Sequence, residues 1–67
     1  MKLYDLDSGD HFRLVEDTNA PPDIGKYHAG RVLRLGNIDG MYSYCIDIDT
    51  KEVCHPVAWA EVEKVPA

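Results

Sequence analysis

Two runs of alternating side chains, Met41 to Asp49 and Glu52 to His55, stand only Thr50 and Lys51 apart. Successive side chains of a strand point to opposite faces, so a period of two marks half-buried strands. A two-residue gap between such runs marks the turn of a hairpin. Pro56-Val57-Ala58-Trp59-Ala60 follows, and then a last run from Glu61 to Val65. Hairpin, tight turn and closing strand in this order predict a small, curled antiparallel sheet. Nothing in these runs supplies a reacting group.

The upstream half carries two more strands. In His11 to Val15, Phe12 and Leu14 share one face, and the cluster Asp7-Ser8-Gly9-Asp10 before it is a turn in which Gly9 is free to take positive φ. Tyr27 to Leu35 is the second strand, with Leu33 and Leu35 on one face and Gly30 as a bulge or bend. Gly36-Asn37-Ile38-Asp39-Gly40 makes the next turn. In the hairpin, Tyr42, Tyr44, Ile46 and Ile48 form the apolar face and are expected inward. Met41, Ser43, Cys45, Asp47 and Asp49 are expected outward. A Thr50-Lys51 loop pairs Ile48 with Val53 and Ile46 with His55. The turn lacks an Asn-Gly signal, so a three-residue loop with another register stays open.

Between the first two strands lies residues 16–26, a stretch without periodicity that holds Asp17, Asp23 and the pair Pro21-Pro22. Proline has no amide donor, so the stretch is expected as a long loop, either a binding element or a solvated connector. Pro56 stops the fourth strand, and Val57 to Ala60 is expected to form one helical or 3₁₀ turn before Val62 and Val65 close the chain. Tyr4 and Leu6 are placed across one open end.

Sixty-seven residues make one domain, 1–67. A chain this short buries only about 60% of its unfolded surface, which leaves self-association into a homo-oligomer open. The 45% hydrophobic and 28% charged composition is that of a globular chain. No apolar run approaches the roughly 20 residues of a membrane span. Met1 to Asp5 lacks the layout of a signal peptide, so a cytoplasmic address with reduced thiols is expected. A net charge of -5 opposes the electrostatic attraction that dominates nucleic-acid binding.

These short strands, the Gly9-Asp10 turn, the long first loop and the single turn before the last strand resemble an SH3-like barrel across about residues 7–66. Pro56-Val57-Ala58 followed by Glu61-Val62, with Gly9-Asp10, is similar to the barrel of plasmid-borne type II dihydrofolate reductase, a tetramer with a central pore. That family binds folate and nicotinamide through a Gln-Ile-Tyr segment just before its Pro-Val-Ala. The matching positions here are Val53, Cys54 and His55, of which only His55 keeps an aromatic ring with a hydrogen-bonding tip. The resemblance implies an all-β, closed five-stranded SH3-like barrel with a short helical turn before its last strand, and it does not extend to the catalytic segment.

Chemistry is sparse. In the two-residue register Cys45 and Cys54 are outward, diagonal neighbours, roughly 7 to 8 Å apart and too far for an easy disulfide. Acidic neighbours argue against a nucleophilic thiol. No C-x-x-C pair marks a zinc site, and the Asp47, Asp49 and Glu52 spacing lacks the glycine and terminal glutamate of a calcium loop. No catalytic residue, metal ligand or cofactor is therefore assigned. The functional material is aromatic: Tyr27, Tyr42, Tyr44 and Trp59 are too many for so small a core. Trp59 either plugs the core or anchors an interface, and Tyr, Trp and Arg dominate interface energetics. Trp59, Tyr27, Tyr42, Tyr44, Asp17, Asp23 and Arg31 are the candidate partner-binding residues. The expected function is a non-enzymatic module that binds another protein, in the manner of a small phage- or plasmid-encoded modulator or inhibitor. The alternative is a homo-oligomeric barrel with a small-molecule pore. Nucleic-acid binding through Arg13, Arg31 and Arg34 ranks third.

Overall fold

The computed structural model describes residues 1–21 and 23–66, so Pro22 and Ala67 lie outside the described part of the expected 1–67 domain. Its strands are β1 (His11–Leu14), β2 (Thr18–Asn19), β3 (Lys26–Tyr27), β4 (Val32–Asp39), β5 (Tyr42–Asp47), β6 (Val53–Cys54) and β7 (Val62–Val65). Five of them form one antiparallel sheet in the order β6-β5-β4-β1-β7. The other two, β2 and β3, pair as a separate ribbon inside the stretch expected as a loop.

The all-β character is as expected; the closed barrel is not. β6 and β7 stand at opposite edges, and among the described residues no ladder joins them. Closure needs the two edge strands to exchange hydrogen bonds with one another, and here the chain on either side is engaged elsewhere. Beyond β6 the chain stays on β5, with Ser43 N–H donating to the Pro56 carbonyl and Ala58 N–H to the Met41 carbonyl. The outer edge of β7 begins against the N-terminus, where Val62 N–H donates to the Met1 carbonyl and Lys2 bridges Glu61. The SH3-like reading, and the reductase-barrel likeness with it, is therefore corrected to an open five-stranded sheet with a two-stranded ribbon.

The short helix is also displaced. Leu3–Asp5 is the 3₁₀ helix, its start held by Lys2 N–H donating to the Asp5 carboxylate. Val57 to Ala60 is a single hydrogen-bonded turn, Ala60 N–H to the Val57 carbonyl at 3.1 Å.

Phe12, Leu14, Leu33 and Leu35 fill the inner face as expected, with Leu3, Val57 and Val62 laid over them. β5 is reversed relative to expectation. Ser43, Cys45 and Asp47 point inward and are buried, whereas Tyr44 is 45% exposed. Register dictates this, because Leu33 stands opposite Asp47 and Leu35 opposite Cys45, so those β5 positions share the leucines' face. The hairpin register is Ile46 to Val53 and Cys45 to Cys54, which leaves a four-residue loop, residues 48–51. Lys51 takes positive φ there, 66°. The two cysteines are thus direct cross-strand partners, inward, free and wholly buried.

Candidate functional site

The two ends of β5 have opposite chemistry. At its last residue, Asp47 is only 4% exposed yet carries a carboxylate. The sequence supplies every partner for it within the adjoining turns. Arg31 Nε donates to Oδ2 at 2.6 Å, and the amides of Asp49 and Thr50 donate to Oδ1 at 2.8 and 2.9 Å. Burial by itself would raise this carboxyl, but the guanidinium and the two amides outweigh it and hold Asp47 below the usual carboxylate range. Arg31 also pairs with Glu52 and lies 5.5 Å from the centre of the Tyr27 ring. Asp47 and Arg31 are thus engaged by one another, by Glu52 and by the two turn amides. Alongside them, burial pushes the Cys45 thiol up to about 11, and burial likewise raises Cys54, which makes both poor nucleophiles at neutral pH.

At the first residues of β5 the sheet opens into a pocket of about 320 Å³, lined by Tyr42, Ser43 and Tyr44, by Asn37 and Asp39 of β4, by His55 just after β6, and by Pro21 of the ribbon turn. Three local devices build it. The β4–β5 ladder shifts register between Leu35 and Asn37, a bulge that places Asn37 opposite Tyr44 and Asp39 opposite Tyr42. The unpaired residue is Gly36, where a Cβ would stand 2.8 Å from the Tyr44 carbonyl oxygen, so the close approach excludes a side chain. The ribbon is tied down by Val57 N–H donating to the Asn19 carbonyl, which brings Pro21 to the rim.

His55 is fixed from two sides. Its amide donates to the Tyr27 hydroxyl at 2.9 Å, and its ring Nδ1–H donates to the Ser43 carbonyl at 3.1 Å. A carbonyl can only accept, so the neutral imidazole carries its proton on Nδ1 and keeps Nε2 as an acceptor. The ring meets Tyr44 edge-on, with centroids 5.6 Å apart and planes at 66°.

Of the candidate partner-binding residues, Tyr42 and Tyr44 come together in this pocket. Tyr27 is buried, 5% exposed, and works from beneath through His55. Trp59 is 45% exposed, so it is not the plug of a closed core, and it does not line the pocket. Asp17 accepts from the Ala29 amide and pairs with His28, and that amide holds its carboxyl below the ordinary value. Asp23 is exposed at the ribbon turn. Arg31 is committed to Asp47 and Glu52.

Sequence reasoning missed Pro21, Asn37, Asp39, Ser43 and His55 as pocket residues. One signal was available. Asn37-x-Asp39 and Tyr42-x-Tyr44 are symmetric about Gly40-Met41, which is what a two-residue hairpin loop would place side by side. Among the described residues no three His, Cys, Asp or Glu side chains are grouped to hold a metal ion. No helix among them is long and apolar enough to cross a membrane. No protein-family model, curated protein or solved structure matches the chain.

Proposed function

We propose that the chain is a non-enzymatic protein-binding module and that the pocket at the start of β5 is where it engages a segment of its partner. One observation carries this: two tyrosines of β5, a histidine just after β6 and a proline of the ribbon turn converge around an open cavity, in a chain whose buried polar side-chain atoms among the described residues all have hydrogen-bond partners. Aromatic side chains bury large areas at little entropic cost and anchor protein interfaces. The thiols are buried with raised pKa, which favours binding over catalysis. Pairing of Arg31 with Asp47 and of Arg13 with Glu63 disfavours a nucleic-acid role for these arginines.

Selection of a displayed random-peptide library on the folded protein tests the reading. Wild type is expected to enrich a consensus that the Tyr42→Ala/Tyr44→Ala double variant, verified as folded by circular dichroism, no longer enriches. Identical enrichment by both proteins, or none by wild type, removes the pocket as the binding site.

A further inference from the structure

We infer that this pocket receives a cationic side chain, an arginine or lysine displayed by a basic protein partner; the inference rests on the protein-binding reading above. The polar atoms that line the cavity are biased towards acceptance. The Asp39 carboxylate accepts only, and among the described residues it enters no ion pair. His55 offers Nε2, because Nδ1–H is spent on the Ser43 carbonyl. Tyr42 and Tyr44 add aromatic rings, a residue type whose π-system attracts an ammonium or guanidinium group. Among the described residues no lysine or arginine lines the cavity to compete for these groups.

The surroundings act in the same sense. Four of the seven lysines and arginines, Lys2, Arg13, Arg31 and Lys64, are matched to a carboxylate; among the described residues Lys26, Arg34 and Lys51 enter no ion pair, and neither do the acids Asp23 and Asp39. Asp23 follows Pro21 closely at the ribbon turn and is exposed. An apolar occupant would leave the His55 acceptor unpaired and make no use of the Asp39 charge, and an acidic occupant would meet Asp39 as a like charge. A volume of about 320 Å³ lies at the small end for ligand pockets and admits one long side chain more readily than a helix.

The test uses capped pentapeptides, Gly-Gly-Xaa-Gly-Gly, with arginine, lysine, leucine or glutamate at the centre, titrated against isotope-labelled protein by NMR. The arginine and lysine peptides are expected to shift the Tyr44 and His55 ring resonances at millimolar concentration. Added salt should weaken them, and Asp39→Asn should raise their Kd about threefold. Asp39 is exposed and near-isosteric with Asn, so the variant's unchanged amide spectrum verifies its fold. If the leucine or glutamate peptide binds as tightly as the arginine peptide, or if Asp39→Asn leaves the Kd unchanged, the cationic assignment is overturned while the pocket remains a binding site. If no peptide shifts these rings but the library selection still yields a pocket-dependent consensus without basic residues, only the assignment fails. If both experiments are blank, the assignment falls together with the protein-binding reading.

Discussion

Strand β5 is six residues long, and its two ends behave as different materials. At the Asp47 end a buried carboxylate is enclosed by Arg31 and two turn amides, with Glu52 beyond and two buried thiols beside it. At the Tyr42 end, two tyrosines, a carboxylate that enters no ion pair among the described residues and an imidazole acceptor line an open cavity. Both ends contain charge and an aromatic ring. The difference is whether the charged groups are paired internally. A cluster whose charges are paired with one another secures a fold, whereas one with an unpaired carboxylate in a concave setting is available to a ligand.

The strongest challenge to this contrast is Arg31→Ala. It strands Asp47 in a buried position and should cost about 3 kcal/mol or more, a large share of what a domain this small possesses. Urea unfolding measures it; a loss under about 1 kcal/mol would mean that the cluster does not secure the turn. Next comes Gly36→Ala, at the bulge between the two ends. Its methyl group would press on the Tyr44 backbone carbonyl and on the ring Cδ1, 3.2 Å away. A cost of about 1–3 kcal/mol is expected, with a displaced Tyr44 ring resonance. Wild-type stability together with an unmoved ring would show that the bulge does not set the pocket.

Acidification should produce a smaller, graded effect. The Asp47 carboxyl is held below its ordinary value of 3.8, so the unfolded chain takes up the proton more readily than the folded one. Its stabilisation is complete above that ordinary value and is lost as the pH falls through the lower folded one. Unfolding free energy measured against pH should therefore decline over this range, and Asp47→Asn should flatten the decline. The smallest stability change belongs to Tyr44→Ala at the open end. Half exposed, it should cost about 1 kcal/mol or less while abolishing recognition. A loss comparable to that of Arg31→Ala would erase the distinction between the ends.

Much of the sheet was legible. Phe12 with Leu14, and Leu33 with Leu35, announced their inner face by sharing one side of a strand, and Gly9 marked a turn where φ is positive, 94°. Gly30, expected as a bulge or bend within one strand from Tyr27 to Leu35, instead lies with φ 93° in the turn that separates β3 from β4. The β5 faces were misread: alternation pointed Tyr42, Tyr44, Ile46 and Ile48 inward, whereas Ser43, Cys45 and Asp47 are the buried set. That choice belonged to the neighbouring leucines of β4. The pocket was half legible: the tyrosines stood out by type, whereas Asn37 and Asp39 looked like turn residues until the bulge set their register.

The local pattern of this chain determined, without help, that it is made of short antiparallel strands, where several of its turns fall, and which leucines and phenylalanine seek the interior. Backbone dihedrals and side-chain period are properties of neighbours in sequence, so they can be read there. Tertiary structure alone decided that the sheet stays open, that Cys45 and Cys54 face one another, and that Asp47 is buried with Arg31. These depend on which strand edges the N-terminal segment and the chain after Pro56 occupy, and on a register transmitted from one strand to the next. Such long-range competition for hydrogen bonds leaves no trace in a local pattern.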